Sequence, residues 1–578
     1  MTEDLLNLHP ASRVEDFLDR GWWTPDTIDG IFRDQVLTRG DALAIVDPLN
    51  RASLAGGDPR RLSWAEVGSE VTALSARLLE AGVRRGDVVG IQLPNGIELA
   101  EALLAIWTLG ATASPLAMQY RGHEIVSLGG SAGFDWVIAA RRFGDRHPAE
   151  DITGLRASIP SLRAVLAYGL PGDDLGGDGA GLVQLFPAPA TADDDAAVAA
   201  YQASQPSDPN VCATICWTSG TEGVPKGVMR AHYDWLVFST APVDAVDMTV
   251  DDVILNAFPM INMAGICAMF LPWIRTGSVL VQHHPFDAPT FFAQIARERV
   301  SYTLAPPALL SRLLQDEDML AKVDVSSLTR IGSGSAPLNP AMVRGWQERF
   351  GIPIVNFFGS NEGVALLSSA VDLPDPDDRA RFFPRYGVPG VSWTMSLADK
   401  AVAKLFDLDT GEEITEPGRP GELHISGPQL FARYLHADTL RDPFDAAGYL
   451  KTGDIFEIAG DRGHYLRYVD RAKDIIVRGG MKIAPVELET LILRHPVVAD
   501  AAVIGAPDDV LGERVMAVVV LQPEALLELE ELVGFLREQQ IASFKLPEYL
   551  RVVDVLPRNA VGKVLKGELR VAQVGSVR

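Results

Sequence analysis

Val211–Gly227, VCATICWTSGTEGVPKG, sets an apolar run against a polar, glycine-rich one. Val211 to Trp217 reads as a buried strand, being short, apolar and ended by turn formers. Thr218 to Gly227 then packs two threonines, a serine, three glycines and one lysine into ten residues. Hydroxyls and bare backbone N–H groups are donors, and glycine lets the main chain approach a ligand closely. With the Lys226 ammonium among them, these residues suit a polyphosphate grip. The pattern differs from a P-loop, because no glycine directly precedes Lys226 and no Ser or Thr follows it. Gly223, Val224 and Pro225 would also suit a polar surface turn. The buried strand in front of them decides for a ligand loop.

At 578 residues the chain exceeds a single core and divides into two or more domains. Its 47% hydrophobic and 22% charged residues are those of a soluble globular protein. The net charge of −25 speaks against a nucleic-acid or anionic-membrane partner, so anionic substrates would be drawn by local cations and metal. Met1–Pro10 carries acids where a secretory signal has bases, and no apolar stretch follows, which predicts a cytoplasmic protein. Cys212, Cys216 and Cys267 are too few for a disulfide framework or a four-ligand zinc site and read as small buried hydrophobes. Val253–Ile274 is uncharged and about long enough to span a bilayer. Pro259, Pro272, Asn256 and Asn262 break it instead into a strand, a loop and a short buried helix.

Outward from the loop, strand-like and helical segments alternate. Ser63 and Glu66 form a capping box ahead of Val67, Val71, Leu74, Leu78 and Leu79 at helical spacing. Apolar strand candidates lie at 87–94, 136–139, 164–168, 253–258, 278–282, 329–331 and 354–357, with a helix at 97–109. Such alternation predicts an α/β fold with largely parallel sheets. Ligands then sit at the carboxyl ends of strands, where 218–227, 332–338 and 358–363 fall. Leu170–Ala199, rich in Gly, Pro, Ala and Asp, reads as a mobile, solvated insertion with no catalytic role. Lys404–Ile425 turns to short strands with Gly/Pro punctuation, a β-rich subdomain. From Asp474 on, strands at 501–504, 515–521 and 549–553 alternate with helices near 485–495 and 525–540, a compact α+β unit.

Four further segments bring polar or glycine-rich chemistry into apolar surroundings. They are IGSGSAPL (331–338), NFFGSNEG (356–363), GYLKTGD (448–454) and DRAKDIIVRGGMKIAPVELE (470–489), with NAVGK (559–563) beyond them. In this order, together with the 218–227 loop, they resemble the adenylate-forming (ANL) superfamily, in its acyl- and aryl-CoA synthetase branch, over roughly residues 30–570. The resemblance implies an N-terminal adenylate-forming domain over 1–472, made of two α/β subdomains plus a β-barrel-like one. It also implies a small mobile α+β C-terminal domain over 473–578 that carries the catalytic lysine. The reaction it implies has two steps. A carboxylate and ATP give acyl-adenylate and pyrophosphate, and a thiol then displaces AMP.

In the first step both reactants are anions, so the site must neutralise charge and hold the two in line. The resemblance assigns the β- and γ-phosphates to Thr218, Ser219, Gly220, Thr221, Gly223 and Lys226. It makes Glu362 the ligand of Mg2+, a hard cation suited to carboxylate and phosphate oxygens. Phe358 would stack on adenine, with Gly334, Ser335 and Ala336 opposite and Gly359, Ser360 and Asn361 beside them. Asp454 would accept hydrogen bonds from both ribose hydroxyls, and Arg471 would support the ribose or phosphates. Lys563, a long flexible cation, would stabilise the charge developing between carboxylate and α-phosphate, so the catalytic set is Lys563, Glu362 and Thr218. Lys473 falls at the hinge, and Gly479 with Gly480 at the tunnel that admits a pantetheine thiol.

Some positions depart from the family pattern. Glu222, Phe358, Asn361 and Val561 replace more usual residues, and none of these changes removes a required charge. Asn262 stands where many acyl-CoA synthetases have a histidine. No acid lies in AFPMINMAG (257–265), so nothing there would pair with an α-ammonium. The expected substrate is therefore a fatty, alicyclic or aromatic acid with an uncharged tail, its pocket walled by Phe258, Asn262, Met263, Ser333 and Phe357. The expected function is an ATP-dependent acid–CoA ligase using ATP, Mg2+ and coenzyme A. The alternative is an adenylating enzyme that loads a separate carrier protein. A non-catalytic nucleotide-binding protein on the same fold would not keep Lys226, Glu362, Asp454, Arg471 and Lys563 together, and nothing points to a luciferase-like oxygenase. An oligomer is compatible with all of these.

Overall fold

The computed structural model describes residues 5–169, 182–218, 225–437, 440–479, 481–508, 510–539, 541–558 and 563–571. Two eight-stranded sheets dominate it. One runs Ala365–Ser368, Ile354–Gly359, Arg330–Gly334, Tyr302–Leu304, Val253–Asn256, Val279–Gln282, Leu43–Val46 and Arg61–Ser63. The other runs Arg433–Tyr434, Lys226–Ala231, Cys212–Thr218, Thr112–Pro115, Val88–Gln92, Trp136–Ala140, Ala164–Tyr168 and Leu182–Leu185. Pairing is parallel through the middle of both. Their strands accordingly read as near-continuous apolar runs, as a sheet covered on both faces requires. The helix Ile97–Thr108 is buried along almost its whole length, which suits its all-round apolar sequence.

The first sheet switches to antiparallel pairing at both edges and the second at one. Ile354–Gly359 turns back into Ala365–Ser368, and Cys212–Thr218 turns back into Lys226–Ala231. The first hairpin carries the 358–363 segment, and Thr218 and Lys226 stand at the end of the second. A third sheet of six antiparallel strands spans Phe382 to Arg471, and a fourth, of five strands, lies wholly within Ile476–Val552 over its own apolar core.

The expected α/β architecture is therefore present. The strands at 87–94, 136–139, 164–168, 253–258, 278–282, 329–331 and 354–357 all form within a few residues of their expected bounds, and so does the Ser63/Glu66 capping box. Val253–Ile274 is a strand, a turn and short helices with a π-helical turn at Ile266–Phe270. Among the described residues no helix is long and apolar enough to cross a membrane. Cys212, Cys216 and Cys267 are buried and unbridged.

One expectation fails in part. Leu170–Ala199 is not solvated insertion throughout, although 170–181 lies outside the described residues. Leu182–Leu185 is an edge strand paired with Ala164–Tyr168, and Ala192–Ser204 is a helix. Thr191 caps that helix against Asp194 in a capping box, and three aspartates in its first turn suit the helix dipole.

Arg230 ties its own sheet to the hairpin turn of the first sheet and to the segment that leaves the third. Its side chain is fully buried. It donates from Nε to the Asn361 carbonyl at 2.7 Å and from Nη1 to the Gln429 carbonyl at 3.0 Å. Nη1 also lies 3.4 Å from Asp234, and the guanidinium packs 4.7 Å from the rings of both Trp235 and Phe238. Asp234 in turn lies 3.1 Å from His9, a ring that burial holds below its ordinary pKa and so favours neutral. Arg230→Leu should strand a buried carboxylate and two carbonyls, lowering stability by about 3–5 kcal/mol. Adding Asp234→Asn should recover part of that loss in chemical denaturation. A shift below about 1 kcal/mol would mean Arg230 holds nothing together.

Candidate active site

Among the described residues, most of those singled out in the sequence lie near the ends of strands in the first two sheets or on the third sheet, with Lys473, Gly479 and Lys563 beyond it. Thr218 ends its strand, half-buried, paired in register with Lys226. Ser219, Gly220, Thr221, Glu222 and Gly223 lie outside the described residues. Across from this hairpin, Ser360 to Val364 closes a tight turn, with the Gly363 N–H on the Ser360 carbonyl at 3.1 Å. Gly363 has φ +115°, and a Cβ there would come within 2.5 Å of the Gln429 carbonyl oxygen. Only glycine fits. The turn presents Glu362, whose carboxylate accepts from the Tyr434 hydroxyl at 2.9 Å. Tyr434 also lies under the Lys226 ammonium, 5.3 Å from ring centroid to Nζ.

Gly334 ends the neighbouring strand, and a Cβ on it would sit 2.2 Å from the Phe357 carbonyl oxygen. Ser335 follows in the left-handed region, φ +70°, a conformation that costs a non-glycine residue about 1 kcal/mol or more and marks functional loops. Ser335 and Ala336 are exposed. Phe358 is half-buried against Phe383, Phe456 and Tyr468, with ring centroids 5.7, 5.0 and 5.4 Å away. That aromatic cage fixes its plane.

The expected pocket walls are tied to the same turn. The Asn361 Oδ1 accepts from the Met263 N–H at 2.8 Å, and Asn262 caps the short helix behind it through the Ala264 N–H. Gly265 permits this doubling back, since a Cβ would meet the Pro259 carbonyl oxygen at 2.3 Å. Asn95, which the sequence did not single out, donates to the Phe258 carbonyl at 2.8 Å and accepts from the Met260 N–H at 3.2 Å. Ser333 is fully buried with its hydroxyl on the Ala305 carbonyl, so it contributes shape but no free donor.

On the third sheet Asp454 and Arg471 are direct cross-strand partners, with carboxylate and guanidinium 3.3 Å apart. Glu422, another residue missed in the sequence, accepts from the Gly453 N–H at 2.9 Å and fixes the turn ahead of Asp454. Burial pushes the Asp454 carboxyl up to about 6, against the pull of Arg471 and Lys563 and with the help of Glu362 and Glu422. Lys563 shares this neighbourhood. Burial first, and then Arg471 and Lys473, push its ammonium down to about 7, while Asp454 and Asp474 oppose. A bound polyanion would reverse that depression. The short helix after Lys563 is pinned by Lys566 to Glu489 at 2.8 Å and by Arg570 to Asp474 at 3.1 Å. Lys473 is exposed beside Asp474. Gly479, φ +56°, bonds within the fourth sheet, its N–H on the Leu511 carbonyl at 2.7 Å, and Gly480 lies outside the described residues.

Among the described residues no cluster of three or more His, Cys, Asp or Glu could cage a metal. A single carboxylate, Glu362, with one oxygen already held by Tyr434, fits a different arrangement. Mg2+ is commonly bound by one or two carboxylates plus substrate phosphates.

The AMP-binding enzyme family matches residues 32–435, and the AMP-binding enzyme C-terminal domain matches 487–563. A methyl-dioxo-octahydroindenyl-propanoyl:CoA ligase of Mycobacterium tuberculosis is 33% identical, over 89% of this chain and 94% of its own. The salicyl-AMP ligase / salicyl-S-ArCP synthetase of the same organism is 29% identical, over 98% and 94%. The solved anthranilate CoA ligase AuaEII, in complex with anthranoyl-AMP, shares the fold at TM-score 0.77 and 21% identity, covering 96% of this chain and 98% of its own.

The Asp454 shift has a definite sign. A carboxyl whose folded value lies above its unfolded value favours the folded state most at low pH. That contribution is lost as pH rises from about 4 to about 6. Asp454→Asn should therefore gain in denaturation midpoint relative to the wild-type protein across that interval and hold the gain above it. A pH-independent difference would contradict the burial described.

Proposed function

This chain belongs to the family of AMP-binding enzymes, and from that membership we propose that it is an ATP-dependent carboxylic acid–CoA ligase working through an acyl-adenylate. The observation that carries the proposal is Lys563, far along the chain from Asp454 and Arg471 yet in electrostatic contact with both. A lysine drawn out of bulk water into a site with a ribose-binding carboxylate is of use where negative charge will arrive. In the first half-reaction a carboxylate oxygen attacks the α-phosphorus, and the bond to the pyrophosphate oxygen breaks. Lys563 stabilises the charge between the two anions, while Lys226, Thr218 and the 219–223 loop hold the leaving pyrophosphate. Asp454 and Arg471 orient the ribose, and Phe358 presents its face to the adenine. Mg2+, when bound, would be held by Glu362 together with phosphate oxygens, and would supply charge neutralisation there.

In the second half-reaction a thiol sulfur attacks the acyl carbonyl and AMP departs. Residues 473–578 turn about Lys473 between the two steps, bringing Gly479 and Gly480 to the thiol path. The tail of the acid is uncharged, because Phe258–Gly265 offers no partner for an ammonium. Alicyclic and aromatic acids head the candidates, in line with the relatives' names. A carrier-protein thiol as acceptor is the second reading, favoured by the relative named as a salicyl-S-ArCP synthetase. The proposed location is cytoplasmic.

ATP–pyrophosphate exchange over a panel of carboxylic acids, followed by addition of CoA or a carrier protein, tests the assignment. Exchange with neutral-tailed acids and thioester on CoA are expected, and no exchange with any acid would refute it. Lys563→Ala should slow adenylate formation by about a hundredfold or more, the scale set by loss of one electrostatic stabiliser. Pre-formed acyl-adenylate should still go to thioester at near the wild-type rate. Equal loss in both half-reactions would take Lys563 out of its assigned role.

A further inference from the structure

Tyr434 lies outside every segment that marked the site in the sequence, yet it touches two of that site's charged groups. Its strand, Arg433–Tyr434, pairs antiparallel with Lys226–Ala231, Tyr434 opposite Val228. The Leu435 N–H on the Gly227 carbonyl at 2.7 Å and the edge of Phe431, 4.8 Å away, fix the ring further. The side chain is buried, with 8% of its surface exposed. From there its hydroxyl reaches the Glu362 Oε1 at 2.9 Å, and its ring face lies 5.3 Å from the Lys226 ammonium. An ionised carboxylate has only acceptors, so the phenol is the donor. One carboxylate oxygen is thereby occupied, and the other is left to a cation.

Lys226 and Glu362 carry opposite charges, and both lie against Tyr434. Among the described residues no ion pair joins them. The tyrosine meets each with a different part of one rigid side chain: the hydroxyl holds the carboxylate, and the ring supplies a cation–π seat for the ammonium. Direct pairing would leave each less able to engage phosphate or metal.

We propose that Tyr434 is a positioning residue for the metal–triphosphate end of the site, its hydroxyl orienting Glu362 and its ring seating Lys226. This rests on the assignment of Glu362 to Mg2+ and Lys226 to phosphate made above. The test reads binding rather than turnover, with full-length protein titrated with ATP calorimetrically over a series of Mg2+ concentrations. Tyr434→Phe keeps the ring and should raise the Mg2+ needed for half-maximal ATP affinity by about tenfold or more, the scale of one lost hydrogen bond to a charged group. Its affinity for ATP without Mg2+ should be unchanged. Tyr434→Leu should in addition weaken Mg2+-free ATP binding about threefold through loss of the ring. In a Glu362→Gln background, Tyr434→Phe should shift the Mg2+ dependence no further. A wild-type Mg2+ curve for Tyr434→Phe, or an equal shift with and without the Glu362 carboxylate, overturns the proposal. Because the Glu362→Gln comparison is internally matched, it still decides if Tyr434→Phe lowers the thermal midpoint. If the wild-type protein binds ATP but exchanges pyrophosphate with no acid, the ligase assignment falls, while these binding curves still judge Tyr434.

Discussion

The buried guanidinium of Arg230 is the contact on which the placement of the Glu362 turn depends. A site assembled from three sheets needs something that fixes their mutual distance more tightly than apolar packing, which tolerates sliding. Arg230 does this with directed bonds. It stands on the Lys226–Ala231 strand, reaches the turn that carries Glu362 and holds the segment leading from the third sheet towards Tyr434. Its partners are main-chain carbonyls, so the turn is gripped by its backbone. Asp234 supplies the countercharge that makes burial of a guanidinium tolerable.

The charged groups around Asp454 are shifted by their surroundings. Asp454 is raised and Lys563 lowered by the same cause, withdrawal from water, although each is also the other's partial remedy. Both groups are held away from their ordinary protonation preferences by the fold. The cost of burying them is met by packing elsewhere, above all in the two large parallel sheets. The global charge of −25 adds nothing favourable for anionic substrates, so under the proposed function their attraction falls to local cations such as Lys226, Arg471, Lys473 and Lys563, and to metal.

What the sequence disclosed follows a physical rule. Parallel strands covered on both faces must be apolar throughout, so Asp87–Pro94 and Ile354–Phe357 declared themselves. Glycines in forced backbone positions, Gly334 and Gly363, lay inside readable motifs because ligand loops concentrate such constraints. Arg230, Glu422, Asn95 and Tyr434 stayed hidden. Each draws its role from a partner remote in sequence, as Tyr434 does from Glu362, and no local pattern encodes that meeting. Ala192–Ser204 was missed for the opposite reason. Thr191 and Asp194 are a legible helix start, yet the Gly, Pro, Ala and Asp composition around them reads as solvated insertion.

The three cysteines take on a different significance beside this chemistry. An acyl-adenylate is a mixed anhydride, open to any thiolate in reach, and a protein that makes one risks acylating itself. Cys212, Cys216 and Cys267 are sealed in the core, and burial drives their thiols upward, that of Cys216 to about 11. At neutral pH essentially none is present as thiolate. The incoming substrate thiol therefore meets no competitor among them, and the activated acyl group is spared a dead-end thioester on the protein that made it.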